Sequence, residues 1–177
     1  MKRLVTALAG VGLMLALTPP ALAPAAVNNA ASLMPLPDGS QLETFARLNC
    51  HPVIGSCDFT VGADRKTGDG VTGFPNDLWS RQSTTIRPNS RTAYLDVHAS
   101  AQYDRVMKDG GSDEVTTIYM GEGPLEKYQT VGRIDSTDWH TGQPRLDINV
   151  IACTHIQVVY SGVNITSPST CAQANFS

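Results

Sequence analysis

Apolar and polar residues alternate with a period of two over much of the chain. The clearest alternation is RTAYLDVHA at residues 91–99, where Ala93, Leu95 and Val97 fall on one face. Successive side chains of a strand point to opposite faces, so this pattern predicts a half-buried strand. Less regular segments of the same kind are CDFTV at 57–61, LWSRQSTTI at 78–86, AQYDRVM at 101–107, EVTTIYM at 114–120 and KYQTVGRI at 127–134.

Turn signals separate these segments about every ten residues. RPNS at 87–90, KDGGSD at 108–113 and GEGP at 121–124 are rich in Gly, Pro, Asn and Asp, and the stretches 62–77 and 135–144 have the composition of longer loops. Helical periodicity and a strand–helix–strand rhythm are both absent. We therefore predict an all-β fold, an antiparallel β-sandwich (immunoglobulin-like or a related barrel) with about seven to nine strands.

The segment RLDINVIACTHIQVVY at residues 145–160 predicts the longest strand. Apolar residues occupy every even position from Leu146 to Tyr160 except Thr154, and neither Gly nor Pro interrupts them. A strand of about sixteen residues would be roughly 50 Å long at about 3.3 Å per residue, whereas typical strands have about five or six residues. We therefore expect a bend or bulge near residues 152–154, where the strand passes from one sheet to the other.

The first 25 residues have the features of a secretory signal peptide. Lys2 and Arg3 precede an uncharged apolar run at residues 4–17, and a helix-breaking Thr-Pro-Pro and a small-residue stretch follow. The apolar run is too short to span a membrane. We predict cleavage after Ala25 and an exported protein, located outside the cell or in the cell envelope, without a membrane span in the mature chain. The composition, rich in Ala and Gly, is typical of GC-rich bacterial coding.

Beyond the leader, we predict a flexible N-terminal segment at residues 26–40 and a single β domain at residues 41–177. Without Lys2 and Arg3, 11 basic residues remain against 16 acidic ones, a formal charge of −5. The charges are scattered along the chain. An acidic protein without a basic patch is not attracted to nucleic acid or to an anionic membrane surface, so we expect neither as a partner.

The chain contains four cysteines, Cys50, Cys57, Cys153 and Cys171. Their spacings do not match those of zinc sites, which place ligands two to four residues apart, and the acidic loops do not match the EF-hand pattern. We predict two disulfides and no metal. Three pairings are possible. The turn residues between Cys50 and Cys57, and a hairpin at Gly162 midway between Cys153 and Cys171, favour pairing within each of these two segments.

Catalytic signals are weak. The chain has four histidines. Asp96 and His98 share a strand face, and Asp138 precedes His140 by two residues in a loop, but the G-x-S-x-G motif of hydrolases is missing. Such Asp and His pairs lie more often on a surface than in an active site. We expect no cofactor, and we keep a small secreted hydrolase that uses His98 or His140 as the alternative function.

Binding is the remaining class of function. Trp139 lies in a polar loop between Asp138 and His140, and exposed aromatic residues on loops commonly contact sugar rings or protein partners. Trp79 follows Leu78 in a strand pattern, and we expect it in the core. No motif of a known family is present. We predict a non-enzymatic, exported bacterial β-sandwich that binds a protein or glycan partner through its loops, with Asp138, Trp139 and His140 as the candidate residues; a purely structural envelope protein is a further alternative.

Overall fold

The computed structural model describes residues 26–102, 105–108 and 113–176, in which twelve strands and one short 3₁₀ helix are found. The predicted signal peptide and most of the turn predicted at residues 108–113 lie outside the described residues. The strands are β1 (Ala26–Pro35), β2 (Gln41–His51), β3 (Ser56–Thr67), β4 (Gly70–Thr72), β5 (Trp79–Pro88), β6 (Ala93–Ser100), β7 (Arg105–Lys108), β8 (Glu114–Met120), β9 (Gln129–Asp138), β10 (Asn149–Tyr160), β11 (Val163–Thr166) and β12 (Thr170–Asn175), and the 3₁₀ helix is Leu125–Tyr128.

The strands form two six-stranded antiparallel sheets in a sandwich-like arrangement. The first sheet has the order β1-β2-β3-β9-β6 with β4 paired to β3, and the second has the order β11-β10-β5-β8-β7 with β12 paired to β10. The predicted all-β antiparallel sandwich is therefore confirmed. The number of strands is larger than the seven to nine expected. Among the additional strands, β4, β11 and β12 are short and lie in segments whose Gly, Pro and Ser content favours turns.

Strand β1 occupies most of the segment that we expected to be flexible. It pairs with β2 along its whole length, from Ala26 opposite Cys50 to Pro35 opposite Gln41. The sequence of β1 lacks a regular apolar alternation because β1 is an edge strand and its side chains are mostly exposed. Backbone pairing with β2 thus orders a segment whose composition alone indicates a linker.

Strand β3 also extends into a predicted loop. Residues 62–67 continue the pairing with β2, as far as Lys66 opposite Gln41. Thr67 then pairs with Gly70, whose φ of 125° is accessible to glycine and strained for other residues. The loop predicted at residues 62–77 is therefore limited to this tight hairpin and to the connection that follows β4.

Strand β10 covers twelve residues of the strand predicted at 145–160, from Asn149 onwards, and it contains no bulge. Its register with β5 is continuous from Val150 opposite Pro88 to Val159 opposite Trp79, so it stays within the second sheet. On its other side, β10 pairs first with β12 and then with β11, so the interruption lies between these two neighbouring strands. Between them, Ser167 Oγ accepts a hydrogen bond of 3.0 Å from the backbone N–H of Ile156.

Both predicted disulfides are confirmed. Cys50–Cys57 joins the ends of β2 and β3, and both residues are fully buried. Cys153–Cys171 joins directly opposite residues of β10 and β12, and Cys171 is exposed. Disulfides persist in oxidising compartments, which places this protein outside a reducing one. Within the described ranges, no helix has the length and apolarity needed to cross a membrane.

The core between the sheets consists of two apolar clusters. One is mostly aliphatic and includes the first disulfide, and the other contains Phe74, Tyr119 and Tyr128 in edge-to-face contacts. On β10, Thr154 falls between the residues of the two clusters, as Thr117 does on β8. We call the polar residues at this level the buried hydroxyl band, which comprises Gln82, Thr84, Thr117, Thr130 and Thr154.

The members of the buried hydroxyl band bond to one another. Thr130 Oγ1 lies 2.6 Å from Thr117 Oγ1 and 2.7 Å from the Tyr119 hydroxyl, and Thr84 Oγ1 lies 3.1 Å from Thr154 Oγ1. These contacts satisfy hydroxyls that would otherwise be costly to bury. The band therefore joins the sheets by hydrogen bonds at a level where apolar packing is interrupted.

Candidate functional site

Trp139 and His140 lie on the connection that leaves β9, which we call the Trp139 loop (residues 138–147). The side chain of Trp139 is 73% exposed, and His140 is exposed as well. The backbone N–H of Trp139 donates a hydrogen bond of 2.9 Å to the carbonyl oxygen of Thr92. Both side chains are therefore accessible to solvent, and the loop is attached to the segment that precedes β6.

Asp138 organises the Trp139 loop from within. Its Oδ1 accepts hydrogen bonds from the backbone N–H groups of His140 at 3.0 Å and Thr141 at 2.9 Å, and from the Thr141 hydroxyl at 3.1 Å. The backbone bond from Thr141, with the bond from Arg145, lowers the pKa of Asp138 to about 2. Both carboxylate oxygens are thus occupied, so Asp138 holds the loop in shape and has little left to offer a ligand.

Arg145 closes the loop from its other end, and sequence reasoning missed it. Its guanidinium donates to Asp138 Oδ2 at 2.7 Å and to Thr92 Oγ1 at 3.0 Å. It also forms a two-bond pair with Asp147, at 2.5 Å and 3.2 Å. These hydrogen bonds, the one to Asp147 first, raise the pKa of Arg145. Arg145 therefore ties three chain segments into one rigid corner.

The turn between the cysteines of the first disulfide packs beside this corner. A Cβ on Gly55 would lie 2.9 Å from Leu146 Cδ2, so the backbone at Gly55 packs closely against the Leu146 side chain. The same turn carries Val53 and Ile54, whose side chains are 68% and 59% exposed. The turn between the cysteines and the Trp139 loop thus lie side by side at one end of the sandwich, and each carries exposed apolar side chains.

His98 does not converge with His140. Its Nε2 lies 3.1 Å from Asp96 Oδ2 on the outer face of β6, where both side chains are well exposed. In the strand register, Ala93 rather than His98 lies opposite Asp138. Five residues of strand separate His98 from that position, roughly 17 Å. The two histidines named for the hydrolase alternative are therefore on separate parts of the surface.

A histidine that does line a cavity is His155, on the outer face of the second sheet. We call this cavity the second-sheet cleft. Its volume is about 370 Å³, and its walls are Arg81, Ser83, Glu114, His155, Gln157 and Thr166. Ser83 lies directly opposite His155, and Arg81 lies opposite Gln157. Sequence reasoning missed the cleft because it depends on the register between β5 and β10.

Ser83, His155 and Glu114 supply the residue types of a hydrolase triad, but the backbone around them does not suit acyl transfer. Such a reaction needs backbone or side-chain N–H groups aimed at the oxyanion. Strand β5 lies between β10 and β8, so the sheet ladders on both sides engage its backbone N–H groups. The backbone N–H groups of β5 are therefore not free to stabilise an oxyanion, and the donors of the cleft are side chains.

Asp64 is a partly buried carboxyl group on the outer face of the first sheet, directly opposite Glu43. Its Oδ1 is buried and accepts no hydrogen bond from the described residues. Burial, followed by the charge of Glu43, raises the pKa of Asp64 to about 6. Glu43 itself is in an ion pair of 2.8 Å with Lys66. Asp64 is therefore a group on the first sheet that takes up a proton in mildly acidic conditions.

The cysteines offer no ligands to a metal, because all four are in disulfides. Among the residues that the structure describes, no group of three or more His, Cys, Asp or Glu side chains could hold a metal ion. Comparison with known protein families finds no family model that matches the chain, and comparison with curated proteins finds no match either.

Proposed function

We propose that the protein is an exported bacterial β-sandwich that binds a protein or glycan partner in the cell envelope or extracellular space, and that it acts without catalysis. The observation that carries this proposal is Trp139, a large aromatic side chain that is 73% exposed at the tip of a loop. Tryptophan is among the residues most enriched at the centres of binding interfaces, because it buries a large area with few rotatable bonds.

The rigidity of the Trp139 loop supports the proposal. Asp138 and Arg145 bond to each other and to the loop backbone, so the loop loses little conformational freedom when a partner binds. The apolar side chains of Val53 and Ile54 on the neighbouring turn extend the same surface. A preorganised apolar surface of this kind favours association over solvation.

The hydrolase alternative has less support. His98 is paired with Asp96 on an open strand face, and His140 follows a carboxylate whose oxygens are already occupied. A general base needs an unoccupied acceptor beside a bound substrate, and a nucleophile needs that base within hydrogen-bond reach. Neither histidine has such neighbours among the described residues.

The test is capture of a partner by residues 26–177, immobilised and exposed to bacterial envelope extracts. We expect a captured partner, and we expect Trp139→Ala to lower its capture at least about ten-fold. Leu33→Ala is the control, because it removes an exposed apolar side chain of β1 at the end of β2 away from Cys50 and leaves the Trp139 loop intact. Extracts treated with protease or with periodate separate a protein partner from a glycan partner.

Two outcomes would contradict the proposal. Equal capture by the native protein and by Trp139→Ala would show that the loop does not bind. Hydrolysis of ester or peptide substrates that is lost in His98→Gln or His140→Gln would establish the alternative instead. The exported state is tested separately by the intact mass of the protein recovered from the medium or envelope, which should correspond to a chain beginning at Ala26.

A further inference from the structure

The second-sheet cleft is a separate surface from the Trp139 loop, and two of its side chains, Arg81 and His155, are available to a ligand. Within the described part of the chain, the Arg81 guanidinium and the His155 imidazole make no hydrogen bond or ion pair with the protein. Gln157 donates to Asn164 Oδ1 at 3.0 Å, which fixes the orientation of its amide. The cleft therefore combines free donors with a positioned amide.

The charges of the cleft walls offset each other. Arg81 contributes one positive charge and Glu114 one negative charge, and the other lining residues are hydroxyls, an amide and an imidazole. Such a wall offers many hydrogen-bond donors and acceptors, and its two formal charges are of opposite sign. A ligand that is uncharged and carries several hydroxyl groups fits this composition.

Next to the polar walls lies an apolar surface on the same sheet face. Trp79 precedes Arg81 by two residues on β5, roughly 7 Å along the strand. Its side chain is 38% exposed, and Met120, directly opposite on β8, is 56% exposed. The expectation that Trp79 lies in the core is wrong because Trp79 faces outward, at the outer end of the alternation that buries Ser80 and Gln82.

We propose that the second-sheet cleft binds a neutral oligosaccharide. A sugar ring has an apolar face of C–H groups, which packs on an aromatic ring such as that of Trp79, and a rim of hydroxyls, which bonds to Arg81, His155 and Gln157. The cleft volume of about 370 Å³ accommodates roughly one or two hexose rings. Successive rings would extend from the polar walls towards Trp79 and Met120.

The test is a titration of the ¹⁵N-labelled protein with maltotriose, cellotriose and xylotriose as neutral probes and trigalacturonic acid as an acidic probe. We expect at least one neutral trisaccharide to shift the amide signals of Arg81, Ser83 and His155 and the indole signal of Trp79. Trp79→Ala and Arg81→Gln should each weaken that binding at least about ten-fold. Arg87→Gln should leave it unchanged.

The control variant matches Arg81→Gln. Arg87→Gln removes a guanidinium from the same strand, where Arg87 is paired with Asp113. An absence of shifts in the cleft with all three neutral probes would overturn the proposal. Preference for trigalacturonic acid would overturn its neutral specificity. Because the titration does not involve the Trp139 loop, either result leaves the proposed loop function to its own test.

Discussion

An exposed tryptophan lies in the Trp139 loop and another lies beside the second-sheet cleft. The two surfaces differ in whether their polar side chains are bonded within the protein. In the loop, Asp138 and Arg145 are bonded to each other and to neighbouring groups, so the polar atoms support the shape of the chain. In the cleft, Arg81 and His155 make no bond within the described residues. The loop therefore presents apolar area, whereas the cleft presents hydrogen-bonding capacity.

The difference follows from what holds each backbone in place. The cleft lies mainly on central strands, whose backbones are held by hydrogen bonds to the neighbouring strands. Side chains on the outer face are therefore not needed to order the backbone. A loop has no ladder, so its backbone N–H groups need side-chain acceptors to become ordered. In a rigid loop, the polar side chains already bond to the loop backbone. Fewer of their hydrogen-bonding groups therefore remain for a ligand.

The largest expected effect comes from removing the disulfides that lie beside the two surfaces. Cys153→Ser with Cys171→Ser, next to the cleft, should lower the free energy of unfolding by about 3 kcal/mol through loop closure. Cys50→Ala with Cys57→Ala, beside the Trp139 loop, should cost about 4 kcal/mol, since both residues are also buried in the core. Urea denaturation measures the free energy of unfolding of both double variants. A larger loss for the Cys153 and Cys171 variant would contradict the contribution that core burial makes at Cys50 and Cys57.

A smaller, local effect should follow from Arg145→Ala. Without the guanidinium, Asp138 loses the bond that joins it to the far end of the loop. We expect amide exchange at His140 and Thr141 to become about ten-fold faster, while the amides of β5 keep their rates. Native-state hydrogen exchange gives both readings at once. Unchanged exchange at His140 and Thr141 would mean that the loop is ordered without Arg145.

The pH dependence of the loop should be confined to strong acid. The pKa of Asp138 is about 2, below its usual value of 3.8, so the ionised carboxylate favours the folded loop. This contribution is fully present above the usual value and is lost as pH falls through about 2. We expect the carboxyl ¹³C signal of Asp138 to be unchanged from neutral pH to about 4 and to shift below it. A midpoint at or above the usual value would contradict the hydrogen bonds assigned to Asp138.

The smallest expected effect is that of Arg81→Ala on stability. Because Arg81 is exposed and makes no bond within the described residues, its loss should change the free energy of unfolding by less than about 0.5 kcal/mol. Thermal denaturation of the variant beside the native protein measures this. A clear loss of stability would show that Arg81 supports the sheet, and the distinction between cleft and loop would then be weaker.

Features that depend on a short stretch of chain were predictable from the sequence. The pairing of Cys50 with Cys57 follows from the turn residues between them, and that of Cys153 with Cys171 from the hairpin at Gly162. The exposure of Trp139 follows from its polar neighbours. What alternation did predict is which side chains share a face of a strand, such as His155 and Gln157 on β10.

Features that depend on partners far along the chain were not predictable. The order of β1 comes from its pairing with β2, and its own sequence shows little of it. The link from Arg145 to Thr92 joins residues whose proximity depends on the packing of the loop against the start of β6. The cleft requires Arg81 and His155 to be brought together by the register of β5 and β10. Periodicity fixes faces, but only tertiary pairing fixes neighbours.

The buried hydroxyl band also selects among alternative ways of assembling the same strands. Thr84 lies directly opposite Thr154, and their hydroxyls bond to each other. A shift of β5 by two residues would keep every side chain on its own face. The alternation of apolar residues alone therefore does not exclude this register. A shift in one direction would place Thr154 opposite Ile86, whose side chain cannot bond to the Thr154 hydroxyl, at the cost of an unsatisfied polar group in the interior. The band thus makes misaligned sheets poorer competitors during folding.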